Sequence, residues 1–364
     1  MITTGVSIRD FGGQQLHALL HSVHLGDLAN NAVELLSESL GPGGFRSLSK
    51  IPAWASGVAD DNTPFEFSAA FTEGEPTTVR VLVEPTAFDA SPVANMAAAV
   101  DVLESLARRY DLPLARFDAV RDLFLPAEPL GGFSLWFSLV FRKDTPPAIK
   151  VYLNPEVRGV SEAGPLVGEG LARLGYGAGH DTIIEHARRR EGLDRYSFFA
   201  LDLTDSPAGR VKVYVSHQDA TADDAATAAR GAHGVSADSV RDFCLMSGGQ
   251  SGPYAERPLV SSYTFLPGDV DRPRGFSLYM PIRTYVNDDV EARERVLAVL
   301  DHHLVDPTPF EDALATIARR PLADGVGLIA HVSLRAGLPR PGVTVYLSSE
   351  AYDKASPRAT TLVS

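Results

Sequence analysis

The chain has 364 residues, 45% of them apolar, which is ample for a packed core in one large domain or two or three ordinary ones. Its 46 acidic residues outweigh 33 basic ones, and the net charge of −13 argues against a general nucleic-acid surface, so any cationic patch must be local. The one cysteine, Cys244, excludes an internal disulfide and most zinc sites and reads as a buried thiol.

The N-terminus has no basic segment leading into an apolar run, and no stretch approaches the roughly 18–20 apolar residues of a membrane span. A soluble, cytoplasmic protein with no membrane partner is expected. Residues 14–40 carry Leu16, Leu19, Leu20, Val23, Leu28, Leu35 and Leu36 at three- and four-residue spacings, predicting helix up to Gly41-Pro42-Gly43-Gly44. A hairpin follows, with strands over 65–71 and 78–84 joined by Glu73-Gly74-Glu75-Pro76. Ser91 caps the next helix, over 91–110, with Pro92 at its first position. The order then recurs: strands over 133–142 and 148–154, then helix over 165–190. Strands over 196–204 and 210–216 precede helices over 221–231 and 236–246. Strands over 259–266 and 275–282 precede helices over 288–304 and 309–319. Strands over 326–335 and 343–348 close the set. No low-complexity run or linker interrupts residues 1–364, so a single domain is expected.

One stretch is repeated. Lys150-Val151-Tyr152-Leu153-Asn154-Pro155 has the form of Arg210-Val211-Lys212-Val213-Tyr214-Val215-Ser216. Phe276-Ser277-Leu278-Tyr279-Met280-Pro281 varies it, and Gly342-Val343-Thr344-Val345-Tyr346-Leu347-Ser348 returns to it; an earlier copy, Val79 through Pro85, has Leu82 in place of tyrosine. Intervals of 62, 65 and 67 residues between the tyrosines mark a supersecondary unit used several times. Each copy alternates, so aliphatic side chains take one face of the strand and cations and phenols the other. Five hairpins separated by helices give about ten antiparallel strands. Aliphatic faces turned to the helices and polar faces turned inward predict a closed antiparallel barrel with an outer helical ring. An open sheet backed by helices, its polar face in solvent, is the alternative.

Arg80, Lys150, Arg210 and Lys212 occupy equivalent strands, with Arg283 at the end of a fourth. Cations lining a barrel are costly unless carboxylates or a ligand neutralise them, and a diphosphate fits the set. Taken singly, each could instead pair with a local Asp or Glu or reach solvent. Metal, the usual partner of diphosphate, needs clustered carboxylates. The pairs Asp60-Asp61, Asp223-Asp224 and Asp288-Asp289 form no aspartate-rich box, and the last two sit at helix starts, where they favour the dipole. Gly248-Gly249-Gln250-Ser251-Gly252 lacks the lysine of a phosphate loop. Aromatic faces stabilise an allylic cation and exclude water, which gives Tyr152, Tyr214, Tyr279 and Tyr346 a purpose. Glu66, on one strand face with Ser68, could accept the N–H of an electron-rich heterocycle; on an ordinary strand it would be a solvated charge.

Pro64-x-Glu66-x-Ser68, Arg80…Glu84-Pro85, Lys150-x-Tyr152, Arg210-x-Lys212-x-Tyr214, Tyr279-x-Pro281-x-Arg283-x-Tyr285 and Val345-Tyr346-Leu347 together resemble the dimethylallyltryptophan synthase family. The likeness spans about residues 60–350 and is to the compact bacterial members of these soluble aromatic prenyltransferases. It implies the α-β-β-α barrel, a ten-stranded antiparallel β-barrel inside helices. It implies transfer of a dimethylallyl group from dimethylallyl diphosphate to an indole, with L-tryptophan the expected acceptor and no required metal. By the same resemblance Glu66 holds the indole N–H, Arg80, Lys150, Arg210 and Lys212 bind the diphosphate with Arg283, and Tyr152, Tyr214, Tyr279 and Tyr346 form a shield. Arg335 is matched to a further diphosphate arginine. Two features depart from the family pattern. The strand before Lys150 has no lysine to take the ring proton until Lys143, and Trp136 there is either a wall of the aromatic pocket or core packing. Arg195 lies two residues from the position of an arginine that grips the amino-acid carboxylate. Alkylation is expected on the benzene half of the ring, at position 6. Alternatives are a phenol, a tyrosine derivative or a tryptophan-containing cyclic dipeptide as acceptor, or a non-catalytic carrier of an anionic lipid.

Overall fold

A computed structural model describes residues 5–49, 51–337, 340–352 and 354–358. Ten antiparallel strands close on themselves: β1 (Phe65–Phe71), β2 (Thr78–Val83), β3 (Leu135–Phe141), β4 (Ala148–Leu153), β5 (Asp194–Asp202), β6 (Val211–His217), β7 (Leu259–Phe265), β8 (Gly275–Met280), β9 (Ile329–Gly337) and β10 (Gly342–Leu347). Each pairs with its chain neighbours, and β1 pairs with β10 to seal the barrel. The open-sheet alternative is thereby excluded. Closure satisfies every strand edge and leaves an interior.

The alternation seen in the sequence sorts the side chains. Outward rows such as Phe67, Val81, Leu139 and Ile149 lie opposite one another across β1 to β4 and are buried beneath helices. The helices are α1 (Ile8–Ser22), α2 (Ala29–Ser39), α3 (Pro92–Tyr110), the short α4 (Ala115–Asp118) and α5 (Arg121–Phe124), α6 (Ala163–Arg173), α7 (Ala178–Ala187), α8 (Ala222–Ala229), α9 (Ala237–Gly248), α10 (Asp289–His302) and α11 (Thr308–Ile317). Their apolar faces cover the barrel wall in one continuous core. Close approach needs small residues: a Cβ on Gly12 of α1 would sit 2.7 Å from the Phe65 ring.

The structure divides two of the predicted helices. The first breaks at His24, whose φ of 61° no α-helix accommodates, and the third breaks at Gly175, φ 87°. The Ser91 cap stands as read, its hydroxyl accepting from the N–H of Ala94 at 3.1 Å. Two irregularities escaped the pattern, and the first lies where β10 pairs with β9, at Tyr346 and Leu347. In β5 the register shifts between Tyr196 and Phe198, so Asp194 and Tyr196 pair with His217 and Val215 on the outer face while Phe198 pairs with Tyr214 on the inner. The outer pair is sealed: His217 Nδ1 is 2.8 Å from Asp194, its Nε2 is 2.8 Å from Ser261 Oγ, and all three residues are buried.

Candidate active site

The inner face is built on contrast. Tyr152 lies opposite Ala200, Tyr214 opposite Ser262, Tyr279 opposite Ser333 and Tyr346 opposite Ser68. Each of the four tyrosines thus borders a small residue, which leaves a chamber of about 70 Å³ on the inner face. Arg80, Lys150, Arg210, Lys212, Arg335 and the four tyrosines all line it. Strand direction gathers the cations at one end. In β4 and β6 the cation precedes its tyrosine by two residues, whereas β9 runs the other way and its Arg335 follows His331 and Ser333.

At that end charge is poorly compensated. Asp202 of β5 is the carboxylate among these cations, accepting from Arg210 Nε at 2.7 Å and lying 3.2 Å from Lys150 Nζ. Among the described residues Arg80 reaches only Thr344 Oγ1, at 3.4 Å, and Arg335 reaches Thr72 Oγ1 at 3.1 Å and the Arg340 carbonyl at 3.4 Å, with its Nε unpaired. Burial, reinforced by Arg210, drives the Lys150 ammonium down to about 7 despite Asp202. Burial, with Lys150 and Arg210 adding to it, holds Lys212 well below its ordinary range. Burial also opposes ionisation of Asp202, but Lys150 and Arg210 outweigh it and keep that carboxylate charged. The cations lining the chamber therefore favour a polyanion.

Next comes a belt of rings. Centroids run 5.7 Å from Tyr152 to Tyr214, 5.8 Å to Tyr279 and 6.0 Å to Tyr346, within the range of favourable aromatic pairs. The hydroxyls of Tyr152 and Tyr214 are 3.3 Å apart. Burial pushes Tyr152 up to about 12 and holds Tyr214 and Tyr346 well above the ordinary phenol range, so these phenols stay neutral and can donate. Phe198 packs edge-on against both Tyr152 and Tyr214, and His331 meets Tyr346 in the same way.

Beyond the belt lies Glu66, 6% exposed, whose carboxylate makes no hydrogen bond or ion pair within the protein among the described residues. Burial, and then the charge of Asp60, raise it well above the usual carboxylate range. Trp136 stacks on Phe133 at 4.1 Å and faces Phe198 at 5.6 Å. Its indole nitrogen has no hydrogen-bond partner within the protein among the described residues, and Glu84 is a second buried carboxyl that burial raises to about 7.

Two predicted residues do not join the cation cluster or the belt. Pro281 ends β8, and the 3₁₀ turn Ile282–Thr284 carries Arg283 away to the Asp60 carboxylate. Arg195, half-exposed, forms a two-pronged pair with Glu156 at 2.9 and 2.6 Å. Conversely, sequence reasoning missed Asp202, Phe198, Asp60 and Arg257. The alternation pointed to the first two, but the shift in β5 hid which face they take; Asp60 and Arg257 lie in loops, where no period applies. An open groove of about 970 Å³ on the outer surface, lined mainly by α1 and α2 residues, gathers no comparable set. Among the described residues no three His, Cys, Asp or Glu side chains form a possible metal site, and no helix is long and apolar enough to cross a membrane.

Similarity to known proteins follows the same barrel. 6-Dimethylallyltryptophan synthase from Micromonospora olivasterospora, solved with DMASPP and Trp, shares 48% identity, with a TM-score of 0.92 over 97% of this chain and all of that one. 5-Dimethylallyltryptophan synthase from Streptomyces coelicolor shares 37%, with a TM-score of 0.89 over 95% of this chain and 98% of that one. Deoxybrevianamide E synthase of Aspergillus versicolor is 25% identical over 192 residues, which are 46% of this chain and 44% of that longer protein, so the matched part is less than half of it. The sequence pattern of tryptophan dimethylallyltransferases runs through residues 32–354, from α2 past β10. With all ten strands of the barrel inside that range, the chain belongs to the tryptophan dimethylallyltransferase family.

Proposed function

We propose that the protein transfers the dimethylallyl group of dimethylallyl diphosphate to the indole ring of L-tryptophan, at position 6. One observation carries the reading: a poorly compensated cation cluster, a belt of four tyrosines and an unpaired carboxylate follow one another along the inner face of the barrel. Arg80, Lys150, Arg210, Lys212 and Arg335 receive the diphosphate and stabilise it as it leaves. Basic side chains supply the countercharge, so no divalent ion is required. The tyrosines offer π-faces to the allylic cation and shut out water that would capture it. Glu66 accepts the indole N–H, and the contact strengthens as the ring gains positive charge in the attack. The C–O bond of the donor breaks, a carbon–carbon bond forms at the ring, and the ring proton is then lost. Identity of 48% with a 6-dimethylallyltryptophan synthase, against 37% with a 5-dimethylallyltryptophan synthase, favours position 6.

The test is incubation with labelled dimethylallyl diphosphate and L-tryptophan in excess EDTA, with NMR of the product. A 6-substituted tryptophan is expected. Activity lost in EDTA and restored by Mg²⁺ overturns the metal-free reading, and another substitution pattern overturns the regiochemistry. A second reading rests on Arg195, whose guanidinium is already held by Glu156. An acceptor without a free carboxylate, such as a tryptophan-containing cyclic dipeptide, would not need it; the ratio of kcat/KM for the two acceptors decides between them.

A further inference from the structure

Glu66 is a buried carboxylate with two guanidiniums nearby, yet neither is paired with it. The charges of both Arg257 and Arg283 act on Glu66, opposing the effects of burial, Asp60 and Asp61. Both arginines are instead bound to Asp60, in the loop before β1, Arg257 through its two terminal nitrogens and Arg283 through one. Arg283 has little freedom. It packs on Gly327, φ 111°, where even an added Cβ would lie 2.9 Å from its Cζ. Arg257 differs. Its backbone is tied to Tyr285, whose hydroxyl accepts from the Arg257 N–H at 3.1 Å and donates to its carbonyl at 2.6 Å. Its side chain is 38% exposed, and Asp60 is the only hydrogen-bonded anchor of its guanidinium among the described residues. His331, the remaining titratable group of this cluster, is driven down to about 4 by burial and the arginines and is neutral.

We propose that Asp60 is a positioning residue that holds the Arg257 guanidinium off Glu66, so that Glu66 stays unpaired for the N–H of the acceptor. This rests on the reading of Glu66 given above. An arginine released from Asp60 would be free to pair with Glu66, a buried carboxylate on which its charge already acts, and a guanidinium–carboxylate pair there would occupy the oxygens that the indole needs. The arrangement predicts an asymmetry that an ordinary stabilising ion pair lacks. Removing the carboxylate frees the arginine to do harm; removing the arginine frees nothing.

The experiment compares wild type, Asp60→Asn, Arg257→Met and the double variant at alkaline pH with saturating donor. Thermal unfolding and pyrophosphate affinity serve as controls for the fold and the cation cluster. Asp60→Asn is expected to lose about 10²-fold in kcat/KM for tryptophan, the scale of losing one oriented contact to the transition state. Arg257→Met is expected to lose less than tenfold. Adding it to Asp60→Asn should recover about tenfold, a coupling typical of interacting charges. Equal losses in the two single variants, with no recovery in the double, overturn the proposal. Should Asp60→Asn fail to fold, Arg257→Met decides alone: a loss as large as that of Glu66→Gln overturns it. A wild-type enzyme that prenylates no indole, or a fully active Glu66→Gln variant, would count against the functional reading instead.

Discussion

Replacing Lys150 by methionine keeps the length of the side chain and removes its charge, and the empty enzyme should gain stability from the change. The ammonium is 7% exposed, and burial with the charge of Arg210 brings its pKa from 10.5 to about 7. Between those values the unfolded chain holds the proton and the folded chain does not. Wild-type stability therefore rises with pH across roughly 7 to 10, and the penalty is present in full below 7. At about 1.4 kcal/mol per pH unit over some three units, the penalty is roughly 4–5 kcal/mol. Loss of the contact to Asp202 returns about 1–2 kcal/mol of this, since Arg210 still satisfies that carboxylate. Lys150→Met should thus be more stable than wild type by about 2–4 kcal/mol at pH 7, the advantage shrinking with pH and reversing near pH 10, where only the lost contact to Asp202 remains. Urea unfolding of both proteins at several pH values measures it. Calorimetry in buffers of different ionisation heat adds a second readout, because pyrophosphate should draw a proton onto wild-type Lys150 above pH 7 and draw less onto the variant. A variant less stable than wild type at pH 7, or a difference that does not shrink with pH, would refute the reasoning.

Glu66→Gln should lower kcat as well as raise KM for tryptophan, by about 10²–10³-fold in kcat/KM, because the contact tightens during the reaction; steady-state kinetics checks this. Since burial and Asp60 raise the Glu66 pKa, the acid limb of the wild-type kcat/KM profile should lie above the ordinary carboxylate range and be absent from the residual activity of the Gln variant. Tyr214→Ala should divert donor to dimethylallyl alcohol, whereas Tyr214→Phe keeps the ring and most of the shielding; the alcohol-to-product ratio reports it. Asp289, wholly buried, accepts from the N–H groups of Gly327, Leu328 and Ile329 at 3.0–3.1 Å and pairs with Arg320. Asp289→Asn should cost about 3–5 kcal/mol in denaturant unfolding with little change in KM.

Alternation made the barrel legible. Strands such as β1 and β10 carry an unbroken inside–outside pattern, and the tyrosine intervals located the repeating unit before any strand was paired. The same pattern gathered Arg80, Lys150, Arg210, Lys212 and the four tyrosines, since a two-residue period assigns a face without needing the partner strand. Arg283 obeyed no such rule, because Pro281 had already ended its strand. Asp202 was harder to place: its partner Lys150 is 52 residues away, and the register between β4 and β5 is a tertiary fact. Arg195 and Glu156 illustrate the same limit, being neighbours across a mouth that no local pattern describes. Helix breaks at His24 and Gly175 turned on single backbone angles, which leucine spacing does not report.

The register shift in β5 has a consequence for how this barrel can change length. A closed sheet commits each residue to one side, and Ser197 is the extra residue that lets one strand serve both layers in turn. Loss of Ser197 would set Tyr196 and Phe198 side by side opposite Val215 and Tyr214, so Asp194 would keep His217 and Arg195 would keep Ser216. A single deletion between Phe198 and Asp202 has no spare residue to absorb it and would turn part of the strand inside out. The bulge is therefore the place where β5 can give up one residue and keep each remaining side chain on its own side of the wall, whereas the regular half can change length only in steps of two.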